Sequence, residues 1–160
     1  MDKTVYLNSV AKICIKQLKE LNIPISENVT FSVNTRAKNR FGRTSKYYNE
    51  YKIEIASELV EPKYIKGLKN TVMHELIHTV QGCMNHGIVW RAYANKVGNC
   101  LDIQISRTNT RASKGLPPQT YKYNFICEEC GEVFHYHRKP KWYDRINTVN
   151  CSCGGDIKEI

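Results

Sequence analysis

The sequence predicts an α+β chain: three helices with a small β-sheet, followed by a small C-terminal unit of different character. Three observations predict it. Apolar residues recur at helical spacing in three stretches. Alternating apolar and polar residues mark strands between the first two stretches. Four of the seven cysteines gather in residues 121–160.

The elements follow in order. Val10, Cys14, Leu18 and Leu21 share one face of a helix over 2–22, with Lys12, Lys16, Lys19 and Glu20 on the other, and Pro24 ends it. Residues 29–33 alternate as a strand, residues 34–50 are polar, basic and aromatic, and residues 52–55 alternate again. Two strands joined by that basic stretch predict a hairpin or meander. Glu61-Pro62 opens a second helix over 62–81, because proline in the first turn lacks only an N–H that would be unpaired anyway. Ile65, Leu68, Val72, Leu76 and Val80 line its apolar side, and Gly82 is a stop signal. A turn over 83–87 leads to a third helix over 88–97, closed by Gly98, and residues 101–105 read as a short strand. Residues 106–120, rich in Ser, Thr, Gly and Pro, read as a linker. The expected division is therefore 1–120 and 121–160.

Composition narrows the function classes. Apolar residues make up 41% and charged residues 24%, which argues against disorder. No apolar run approaches the ~18 residues of a membrane-spanning helix, and the N-terminus carries no signal-peptide pattern. The expected location is the cytoplasm, with no membrane partner. In a reducing compartment, seven cysteines point to metal ligands and free thiols more than to disulfides.

The second helix contains His74-Glu75-Leu76-Ile77-His78. Histidines at i and i+4 lie one turn apart on one face, where both reach a single Zn²⁺. Glu75 flanks that ion, placed to take the proton of a water that zinc acidifies. A catalytic zinc takes three protein ligands and keeps one position open. Between Glu75 and Glu128 there is no other Glu, and the one Asp is Asp102; Gln81 and Met84 occupy the Gly and His positions of the extended HExxHxxGxxH pattern. His86, on a turn beyond Gly82, is the favoured third ligand. Asp102 is the reserve, or an acceptor for a ligand histidine. Trp90 packs against the metal helix or lines the cleft.

Cys127, Cys130, Cys151 and Cys153 form two close pairs, each followed by glycine. Four thiolates in two pairs suit one tetrahedral structural Zn²⁺, the layout of a zinc ribbon. His135 and His137, on a strand-like run between the pairs, read as surface residues. Cys14, Cys83 and Cys100 lack partner spacing and read as bystanders.

HELIH, then His86-Gly87-x-x-Trp90, then CxxC…CxCGG, with Arg40-Phe41-Gly42-Arg43 ahead of the metal helix, resemble the SprT-like family over nearly the whole chain. The resemblance implies a minimal zincin-like metallopeptidase domain followed by a zinc ribbon. It implies His74, His78 and His86 as ligands of a catalytic zinc, Glu75 as general base, and Cys127, Cys130, Cys151 and Cys153 as ligands of a structural zinc. The family's members are zincin-like metallopeptidases, and its eukaryotic branch cleaves proteins covalently trapped on DNA, so the resemblance implies a protein substrate and DNA as partners.

Charge points the same way. Residues 1–120 carry 18 basic and 9 acidic residues, and residues 121–160 carry 6 of each. Arg36, Lys38, Arg40, Arg43 and Lys46 cluster with Phe41, Tyr47 and Tyr48, the ingredients of contact with single-stranded or crosslinked DNA. Arg107, Arg111 and Lys114 form a second basic run, and Arg138, Lys139 and Lys141 lie beside Trp142 and Tyr143. The expected activity is peptide hydrolysis, with the substrate extended along an edge strand around 52–56. Two rivals stay open: a non-catalytic DNA-binding module with two structural zincs, and a zinc hydrolase of a non-peptide amide.

Overall fold

The Asp2 carboxylate accepts hydrogen bonds from the backbone N–H groups of Thr4 (2.8 Å) and Val5 (3.3 Å). That cap starts α1 (Lys3–Glu20), which turns Leu7, Val10, Ala11, Cys14 and Leu18 into the core. The computed structural model describes Met1–Ile160. The chain divides into two units, Met1–Pro117 and Pro118–Ile160.

In the first unit, β1 (Val29–Asn34), β2 (Gly42–Tyr47) and β3 (Glu50–Ala56) form a sheet in the order β1-β3-β2. β1 and β3 are parallel, with Val29 opposite Tyr51 and Val33 opposite Ile55. β2 and β3 are antiparallel, with Gly42 opposite Ile55 and Tyr47 opposite Glu50. The two strands read from alternation are thus parallel neighbours, and the basic stretch between them supplies a strand of its own. β3 carries the buried side chains Tyr51, Ile53 and Ile55, so it takes the centre. It is therefore not the edge expected around 52–56. The edge beside the metal helix is β2, whose polar and charged side chains suit a half-exposed strand.

After a 3₁₀ turn at Pro62–Tyr64 comes α2 (Ile65–Ile77). It ends short of residue 81. The Thr79 hydroxyl donates to the Leu76 carbonyl (2.7 Å), and the Thr79 and Val80 N–H groups bond three residues back, tightening the chain out of the α-helix. α3 (Ile88–Leu101) runs through Gly98 and ends on Asp102, whose φ of 51° is left-handed. Gly98 serves a close approach instead of a stop: the Ile103 carbonyl lies 2.7 Å from where a Cβ would sit. No strand forms at 101–105.

The stretch read as a linker is a docked strap up to Pro117. Ile105, Lys114 and Leu116 are buried. Arg111 pairs bidentately with Glu58 (2.8 and 2.9 Å) and donates to the Pro117 carbonyl. The Lys114 ammonium donates to Asn70 Oδ1, and Asn70 donates to the Gln104 carbonyl. Gly67 leaves room for this, since a Cβ there would lie 2.3 Å from the Lys114 carbonyl oxygen. Burial holds the Lys114 pKa down to about 8, against the pull of Glu75.

In the second unit, β4 (Tyr123–Cys127) pairs antiparallel with β5 (Val133–Tyr136) and with β6 (Ile157–Glu159). Phe125 is fully buried against Trp142, with ring centroids 4.8 Å apart. No helix of the chain is long and apolar enough to cross a membrane.

Asn70→Ala strands a buried ammonium and is expected to cost about 1.5–3 kcal/mol in urea unfolding. The same change in a Lys114→Met background is expected to cost much less. Between about pH 8 and the ordinary lysine value of 10.5, the unfolded chain binds the Lys114 proton and the folded chain does not. Wild-type stability relative to Lys114→Met therefore rises with pH across that window and is lowest below it.

Candidate metal centre

The last turn of α2 sets His74 and His78 on one face, and the turn before α3 brings His86 back to them. His74 Nε2 lies 3.3 Å from His78 Nε2 and 3.0 Å from His86 Nε2. One ligand nitrogen from each of the three lies within 4.8 Å of the others. Gly82, at φ +80°, turns the chain between the second and third histidines. Trp90 on α3, 1% exposed, backs the cluster, with ring centroids 4.7, 5.5 and 4.5 Å from His74, His78 and His86.

The electrostatics favour neutral imidazoles. Burial pushes the His74 pKa down to about 3, helped by His78, His86 and Lys114. Burial also lowers His78 and His86, with His78 and Arg107 adding to the shift at His86. The His78 Nδ1–H donates to the Cys83 carbonyl at 2.6 Å. A carbonyl only accepts, so His78 Nε2 keeps its lone pair, aimed at the other two rings. Converging lone pairs in a buried space repel one another unless a cation or proton sits between them, so the donor set fits a metal ion. A three-imidazole set with two rings buried and one partly exposed is compatible with zinc.

Glu75 is buried, and the Thr44 hydroxyl donates both to its Oε2 (2.7 Å) and to its backbone carbonyl (3.0 Å). Burial raises its pKa, opposed by Thr44, Lys114 and Arg40. Gly42 leaves space for the carboxylate: a Cβ there would lie 2.6 Å from Oε1. Around these groups lies a cavity of about 350 Å³, walled by Arg40, Phe41 and Thr44 on one side segment and by Arg107 and Asn109 of the strap.

Asp102, the reserve ligand, is not brought to the cluster; it caps α3 in an exposed position. Thr44 and Asn109 escaped the sequence reading, because nothing in their local pattern marks them, and Gly42 reads only as part of the stretch ahead of the metal helix. They matter through contacts across the fold. Cys14 is a core thiol, raised to about 12 by burial, and Cys83 is buried with its carbonyl holding His78.

In the second unit, the sulfurs of Cys127, Cys130, Cys151 and Cys153 also lie within 4.8 Å of one another. Cys127 Sγ is 3.5 Å from Cys153 Sγ, and Cys130 Sγ is 3.7 Å from Cys151 Sγ. The Gly155 N–H donates to Cys153 Sγ at 3.4 Å, and backbone N–H groups of Cys130 and Glu129 hold the Cys127 thiol down to about 7. These N–H donors favour the thiolate at Cys127, the form in which a cysteine ligates a metal. His135 and His137 stay outside it, stacked on Tyr121.

Fold and site define a mixed α+β protein with a three-histidine centre and a carboxylate beside it. The chain belongs to the SprT-like family, whose model matches residues 11–121. No curated protein matches the chain.

Elemental analysis of the purified protein is expected to find metal at both donor groups. His86→Ala is expected to lose the metal of the histidine group alone, with the four-cysteine metal retained. Gly42→Ala is expected to keep both metals and to displace the Glu75 carboxylate, seen in a crystal structure as loss of its contact with the Thr44 hydroxyl.

Proposed function

We propose that this chain is a zinc-dependent metalloendopeptidase that hydrolyses peptide bonds of protein substrates held on DNA. The observation that carries the reading is the convergence of His74, His78 and His86 beside a buried Glu75. Bound by the three imidazoles, zinc supplies Lewis acidity toward water and toward the scissile carbonyl. Glu75 carries the proton. Thr44 bonds its Oε2, which leaves Oε1 free to take a proton from the attacking water and pass it to the leaving amine. Burial raises the basicity of that carboxylate, which suits a general base at neutral pH. β2 pairs on one side with β3 and offers its other edge to an extended substrate chain. Cys127, Cys130, Cys151 and Cys153 are the donors for a structural zinc.

Association with DNA is supported by the segment between β1 and β2 and by the hairpin of β2 and β3. Arg36, Lys38, Arg40, Arg43 and Lys46 are exposed and enter no ion pair. Tyr47 is 64% exposed, and Tyr48, at the hairpin turn, is 97% exposed. Cationic groups beside bare aromatic faces suit phosphates and unstacked bases.

Glu75→Gln is expected to keep its zinc and to lose cleavage of a DNA-bound protein by about 100-fold or more. Equal cleavage by a zinc-loaded variant sinks the mechanism. Salt-dependent DNA binding without proteolysis under any condition would make the chain a binding module. Tyr48→Ala is expected to weaken single-stranded DNA binding by about 1–3 kcal/mol, read by fluorescence anisotropy.

A further inference from the structure

We propose that Arg40 and Arg107 select substrates carrying a carboxylate close to the scissile bond, so that the cleft takes acidic peptide segments. This deepens the peptidase reading and rests on it. Both arginines line the cavity that holds the three histidines and Glu75, one from the segment ahead of β2 and one from the strap; Arg43, next to Thr44 on β2, lines it too. Neither Arg40 nor Arg107 enters an ion pair or a side-chain hydrogen bond. The contrast is Arg111, four residues beyond Arg107, whose guanidinium is held by Glu58 and the Pro117 carbonyl. The strap therefore uses one arginine for its own structure and leaves the other free at the site. Glu75 is the single carboxylate lining the cavity, and Thr44 already holds it.

Arg107 also lines a second cavity of about 770 Å³ along α3. A peptide running from one cavity to the other passes it. A guanidinium fork matches a carboxylate in two parallel hydrogen bonds, and the same charge repels lysine and arginine at that point. Phosphate fits the fork too. However, the exposed tyrosines suited to bases lie at the far end of β2, about 17 Å from Gly42 at ~3.3 Å per residue. The cavity at the proton-carrying carboxylate is where a peptide has to lie.

The test uses the zinc-loaded full chain and four peptides of one backbone. Three are acetylated and amidated, with Glu, Gln or Lys flanking the scissile bond. The fourth is the Gln peptide with a free C-terminus, which separates a side-chain carboxylate from a terminal one. The Glu peptide is expected to exceed the Gln peptide in kcat/KM by about tenfold, the scale of one charge-assisted hydrogen bond. The Lys peptide should fall below both, and the Glu/Gln ratio should shrink toward unity in Arg40→Gln/Arg107→Gln. A preference for the free C-terminus over Glu, equal rates for Glu and Gln, or an unchanged ratio in the double variant overturns the inference while leaving the peptidase reading intact. So does a double variant that loses binding of an oligo-dT strand without any change in the peptide ratio. If no peptide is cleaved, the peptidase reading fails. The selectivity is then read from anisotropy of the same four peptides on Glu75→Gln, where equal affinity for Glu and Gln overturns it.

Discussion

A carboxylate and three imidazoles share a buried space, and the rest of the first unit answers to that constraint. Polar groups out of water need partners. The Thr44 hydroxyl serves Glu75, the Cys83 carbonyl serves His78, and the converging Nε2 atoms are left for a cation. Each partner comes from a different element, so the site exists only when sheet, helix and turn are assembled. Gly42 shows how tight this is, since a single methyl group at that position would meet the Glu75 carboxylate.

Burial also sets the chemistry. It holds His74, His78 and His86 neutral, the state that donates a lone pair, and it raises Glu75 toward the range of a useful base. The cations nearby pull the other way on Glu75: Lys114, the buried lysine of the strap, and Arg40 from the cleft wall. The strap, whose regular piece is a 3₁₀ turn at Ala112–Lys114, carries one buried cation bonded to Asn70 and one free cation in the cleft.

How much was legible depends on how local each signal is. His74, Glu75 and His78 are readable because helical spacing alone places them, and the four cysteines because paired spacing alone brings two sulfurs together. His86 followed from the absence of rival ligands. The parallel pairing of β1 with β3 was not legible, because alternation marks a strand without naming its neighbour. The helix end at Ile77 depended on the Thr79 hydroxyl capturing the Leu76 carbonyl, while Gly82 drew the eye as the stop. The strap looked like a linker because its anchors, Ile105, Lys114 and Leu116, are too sparse to make a period.

The sequence by itself determined the donor atoms: three histidines, one glutamate and four cysteines, set by spacing along a helix or within tight turns. Their partners were decided only by the tertiary structure. Thr44 and Gly42 meet Glu75 across 31 and 33 residues, and Lys114 meets Asn70 across 44. A hydroxyl, a missing side chain and a buried ammonium carry no periodic signal of their own. They act by where the fold sets them down.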